Sequence, residues 1–106
     1  MATTIERRQV PDVNWLIEIL EHEWDEADSI LSHVHERSAT EISEFDADWP
    51  LLASWWDQVV ARDRQEPLTP TQRQRVSSVE QTIRRLMPTI TELVGPEMAR
   101  MDGLDI

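Results

Sequence analysis

Apolar residues spaced alternately four and three apart, in two separate runs, decide what this chain can become. Val13, Ile17, Leu20, Trp24, Ala27, Leu31 and Val34 form the first run, with Leu16 and Ile30 widening it. Val76, Val79, Ile83, Leu86, Ile90 and Leu93 form the second. A mean spacing of about 3.5 residues lays each run along one stripe of an α-helix, whereas a half-buried strand needs a period of two. Two glycines in 106 residues leave little for hairpin turns. The chain reads as all-α.

Capping chemistry sets the expected boundaries. Pro11 and Asp12 supply a first-turn proline and an acid at the positive end of the first helix. The seam fails after Val34, where the next positions are Ser38 and Glu41, so this helix is expected to run for about 25 residues, roughly 37 Å. Ser38 and Glu41 fit a capping box, with Ile42 and Phe45 anchoring one short turn. Asp48 and Pro50 read as the N-cap and first turn of a second helix that offers Leu51, Leu52, Trp55, Trp56, Val59 and Val60 and ends before Pro67. Thr69, Pro70 and Gln72 give the third helix its N-cap, first-position proline and box partner. Pro88 removes one backbone donor and crowds the carbonyl of Arg84, which predicts a kink or a break. Gly95-Pro96 stops the helix, and Met98 with Met101 fits one further turn.

The expected architecture is a single domain over residues 1–106, a small three-helix bundle running up-down-up. It has a long first helix, a shorter second helix, and a long third helix kinked or broken at Pro88. Residues 1–10 form a flexible arm and residues 97–106 a short C-terminal extension. Two long helices overhanging a short one leave apolar seam uncovered, which favours a homo-oligomer or a partner.

Charge is the second constraint. Residues 12–48 hold twelve acidic residues and one basic residue, Arg37, a net −11 that equals the charge of the whole chain. The remainder balances nine acids against nine arginines, and lysine is absent. On the first helix Glu18, His22, Asp25, Glu26, Ser32, His33 and Glu36 fall away from the seam. Like charges three or four apart, such as Glu18/Glu21, Glu21/Asp25, Glu23/Glu26 and Asp25/Asp28, together cost roughly 1–2 kcal/mol before screening. The plain alternative is a solvated face. The functional expectation is a surface for a basic protein or a nucleic-acid-binding protein, since regularly spaced carboxylates on a rod can imitate a phosphate array. Direct binding of nucleic acid would have to overcome the −11.

Tryptophan supplies the apolar counterpart, with five in the chain. Trp24 lies in the seam. Trp55 and Trp56 are adjacent, so both cannot point inward, and Trp15 falls at an outward position. Trp15, Glu18, Asp25, Glu26, Glu36 and Trp56 are therefore the expected partner-binding residues, with exposed tryptophan as the anchor.

Other chemistries fit less well. His22, Glu26 and His33 share one side at helical spacing and are the alternative metal ligands, but helices two and three carry no histidine to face them. Glu23-x-x-Glu26 and Glu41-x-x-Glu44 are spaced like the carboxylate pairs with which all-helical nucleotide pyrophosphohydrolases hold magnesium. The second pair lacks the aspartate of that pattern and no lysine is present to hold phosphate, so this reading is set aside. No nucleophile motif or glycine-rich phosphate loop occurs, and there is no cysteine. The expectation is a non-enzymatic inhibitor or adaptor with no cofactor, or failing that a small structural subunit of a larger complex. No apolar leader or membrane-length run is present, which predicts a cytoplasmic protein.

Overall fold

The first seam folds as α1 (Val13–Leu31), and it buries Leu16, Ile17, Leu20, Trp24, Ala27 and Leu31. Leu16 lies beside the four-three stripe and is as buried as its members. The structure, a computed structural model, describes residues 12–101. Pro11 and the arm over residues 1–10 lie outside them, as does the end of the tail from residue 102.

At 19 residues α1 is shorter than the seam predicts, roughly 28 Å rather than 37 Å. Arg37 explains the early stop. It follows a single 3₁₀ turn (Val34–Glu36) and donates to the Ser29 carbonyl at 3.1 Å, satisfying one of the last acceptors of α1. The same guanidinium donates to Glu41 at 3.2 Å, tying the end of α1 to the start of the next helix.

That next helix, α2 (Ala39–Gln65), is the longest of the three at 27 residues, not the shorter middle element expected. The Ser38/Glu41 capping box forms, but the helix does not stop for Pro50. Asp48 is therefore an interior residue and no N-cap. The reason is a third four-three seam, Phe45, Trp49, Leu52, Trp56 and Val59, which runs through the proline and is buried along its length. Pro50 sits on the exposed side, where the Asp46 carbonyl it leaves unpaired can meet water.

The third helix, α3 (Pro70–Val94), begins as expected on the Thr69/Gln72 box. It runs through Pro88, also exposed, as one continuous helix. Gly95 ends it at φ 91°, ψ 154°, a conformation open in practice only to glycine. Its amide still bonds the Thr91 carbonyl at 2.9 Å.

The three helices make the up-down-up bundle, and no strand occurs among the described residues. Pairs between α1 and α3 rise together along both chains: Asn14 with Gln72 at 2.8 Å, Glu21 with Arg75 at 2.6 Å, Asp28 with Arg85 at 2.8 Å. The two are parallel. α1 packs on both neighbours, while α2 and α3 meet far less closely.

The segment after Gly95 folds back on the bundle. Ala99 and Met101 join the core, Met98 is exposed, and the Trp49 indole donates to the Met98 carbonyl at 2.6 Å. Trp49 stands edge-on to Trp24 at 6.1 Å. The overhang expected from a short middle helix is absent, because α2 is long and the C-terminal turn covers the end of the seam.

Candidate functional site

Two kinds of acid lie on α1, and the arginines of α3 separate them. Glu21 accepts a two-pronged bond from Arg75, at 3.1 and 2.6 Å. Asp28 accepts from Arg85 at 2.8 Å and from the Ser32 hydroxyl at 2.7 Å. The hydrogen bond to Glu21 raises the Arg75 pKa, and the bond to Asp28 raises that of Arg85. The like-charge cost of the α3-facing acids is thus offset within the chain. The arginines of α3 thus pair helices within the chain.

On the side facing α2, Arg37 pairs with Glu41 at 3.2 Å, where the two helices are joined. Glu23, Glu44 and Asp48 have neither an ion pair nor a side-chain hydrogen bond among the described residues. Glu26 meets His22, at 3.3 Å and largely in solvent.

Acids wall a groove of about 330 Å³ between α1 and α2. Glu23 and Glu26 stand on the α1 wall, with Glu44, Asp48 and Glu41, the last held by Arg37 and Ser38, on the α2 wall. Between them lie Ala27, Ile30, Phe45, Leu51, Leu52 and Trp55. Among the described residues no cationic side chain lines it. Leu51 is 58% exposed despite its position in mid-helix, and it is one of the three most exposed large apolar residues described. Trp15, 45% exposed, packs edge-on against Trp55 at 5.9 Å, extending the apolar surface along α1.

A second cleft, about 410 Å³ between α2 and α3, has a different character. Its charges are of both signs: Asp63 accepts from Arg73 at 3.1 Å and from the Leu68 amide at 3.0 Å. It carries no net demand for a charged ligand.

The expected binding residues are divided by this geometry. Trp15, Glu18, Asp25, Glu26 and Glu36 are exposed. Asp25 leans to the α3 side, Glu26 enters the groove, and Glu36 lies beyond the helix beside His33 at 3.4 Å. Trp56 is a correction. It is 2% exposed, because it belongs to the seam through Pro50, and its neighbour Trp55 takes the half-exposed place. Glu44, Asp48, Leu51 and Trp55 escaped the sequence reading for the same reason: a helix break at Pro50 hides that they share a face.

The alternative metal ligands are not assembled. His22 pairs with Glu26, whereas His33 lies past the end of α1 with Glu36. Among the described residues no three acidic or histidine side chains are grouped to hold a metal ion. The two Glu-x-x-Glu pairs do line one groove, and Glu41 with Glu44 occupies firm helix rather than the weak turn expected. No described helix is long and apolar enough to cross a membrane.

Comparison of the chain with protein-family models, curated proteins and solved structures finds no match to any of them.

Proposed function

We propose that the chain is a non-enzymatic interaction module, an inhibitor or adaptor, that engages a basic partner protein through the free acids of α1. One observation carries this reading. Glu21 and Asp28 are answered by Arg75 and Arg85, while Glu23 and Glu26, which face α2, pair with no arginine among the described residues and lie near exposed Trp15 and Leu51. Exposed apolar area among the acids favours a protein surface over a site that reads phosphate-like charge alone.

An oligolysine peptide serves as the test ligand. It should bind at low ionic strength and lose affinity steeply with salt, since exposed charges are screened over about 10 Å at 0.1 M. Reversing Glu18, Glu26 and Glu36 together should weaken binding while circular dichroism stays helical. Affinity unchanged by salt and by the triple reversal would overturn the reading.

A further inference from the structure

We infer that the α1/α2 groove is the seat of a single basic, amphipathic helix of the partner, with α1 and α2 supplying two helices of a local four-helix arrangement. This deepens the interaction reading and rests on it.

The shape comes first. A groove between two packed helices is the surface onto which a third lies at about 8–10 Å between axes. Here α1 is flanked by α2 on one side and α3 on the other, and the α1/α2 groove opens away from the core. Along α2 its lining runs from Glu41 to Trp55, roughly 21 Å, or about four turns of a docked helix.

The chemistry of the walls then selects the occupant. Apolar floor residues Ile30, Leu51 and Trp55 call for an apolar stripe. Carboxylates on both walls, Glu23 and Glu26 against Glu44 and Asp48, call for arginine or lysine on both flanks of that stripe. A helix with apolar residues three and four apart and cations beside them meets both demands at once. An extended basic strand would expose alternate residues and reach only one wall with each. A second copy of this chain is a poor occupant. Each copy carries −11, and Arg73, Arg75, Arg84 and Arg85 are already engaged with acids of their own chain.

The outward acids and the groove floor have separable roles. Glu18 and Glu26 raise the encounter rate with a cationic partner, whereas Leu51 and Trp55 hold it once seated. Leu51 is the discriminating residue because it is exposed and neutral, so changing it alters neither the core nor the net charge.

The test uses two peptides of about 18 residues, roughly 27 Å as helix, built from lysine and leucine in identical numbers. One places the leucines on a single helical face; the other scrambles them. Calorimetry and tryptophan fluorescence report binding to the full chain, and circular dichroism reports peptide folding. The amphipathic peptide should bind about tenfold or more tightly than the scrambled one and become helical on binding. Leu51→Gln should remove about tenfold of that affinity, and Asp48→Asn should weaken binding in the same direction, with the scrambled peptide unaffected by Leu51→Gln. Equal affinity for the two peptides, or indifference to Leu51→Gln, overturns the groove while leaving a charge-driven interaction surface. Failure of both peptides to bind at low salt overturns the interaction reading itself.

Discussion

Arg85 holds the Asp28 carboxyl below the ordinary carboxylate range by hydrogen bonding, assisted by the Ser32 hydroxyl, against a smaller opposing effect of burial. A carboxyl lowered in the folded state stabilises the fold above its unfolded pKa, near 4, and loses that contribution as pH falls through the folded value. Glu41 behaves the same way, its carboxyl lowered chiefly by the Ser38 backbone N–H. Arg85→Gln should therefore lower the melting temperature at pH 7, and the difference from the parent chain should shrink to nothing well below pH 4. Melts across that range check it; a gap that persists in acid would assign Arg85 a packing role instead. The tryptophans show how a single register step decides a residue's task. Trp56 falls on the buried stripe of α2 and Trp55 one step off it, against Trp15. The Trp55 Nε1 is buried with no acceptor among the described residues.

Proline placement is the element-scale feature that most shapes α2. In a helix interior proline is less favourable than alanine by about 3 kcal/mol, yet α2 accommodates Pro50 because five apolar seam residues on both sides of it are buried together. Pro50→Ala should consequently raise stability, by up to about 3 kcal/mol in chemical denaturation; a fall would mean that Trp49 and Leu52 pack only with the proline in place. Ser38→Ala should act in the opposite direction, costing about 1 kcal/mol, because the hydroxyl accepts the Glu41 amide at 3.2 Å. These two residues also mark where sequence was legible and where it was not. Both capping boxes and the Gly95 stop could be read, since each is local chemistry within four residues. The continuity of α2 could not be read from local signals: Asp48 and Pro50 have the form of a helix start, and only the longer-range stripe from Phe45 to Val59 outweighs them. The groove was lost with it, because Glu44, Asp48, Leu51 and Trp55 align only on an unbroken helix. The Arg75 and Arg85 pairings were likewise hidden, as they depend on the rotation and axial offset of α3 against α1, which no local signal sets.

At the scale of the whole molecule, the C-terminal turn closes the end of the bundle that the helices leave open. Three contacts fix it: Ala99 and Met101 in the core, and the Met98 carbonyl on the Trp49 indole at 2.6 Å. Trp49 in turn braces Trp24 and Phe45, at ring separations of 6.1 Å each, so the turn sits over an aromatic cluster shared by α1 and α2. With that cluster covered and −11 on every copy, apolar contact between copies has little to bury and charge to overcome. The full chain should accordingly scatter light as a monomer at tens of micromolar. Truncation after Gly95 removes the cover while leaving every helix intact. It should cost about 2–4 kcal/mol, from two buried apolar side chains and one indole hydrogen bond, and it should make association depend on salt. At low salt the like charges keep the uncovered ends apart; at high salt they are screened, and the exposed tryptophan edges pair. A truncated chain that stays monomeric at high salt and melts with the parent would show that the bundle closes without its C-terminal turn. Trp49→Phe offers the finer measurement, since it keeps an aromatic ring in the cluster while removing the bond to Met98 together with the pyrrole half of the indole. If the turn is held chiefly by that bond, this single substitution should reproduce part of the salt-dependent association of the truncated chain, and if Ala99 and Met101 hold it, the variant should remain monomeric at every salt concentration.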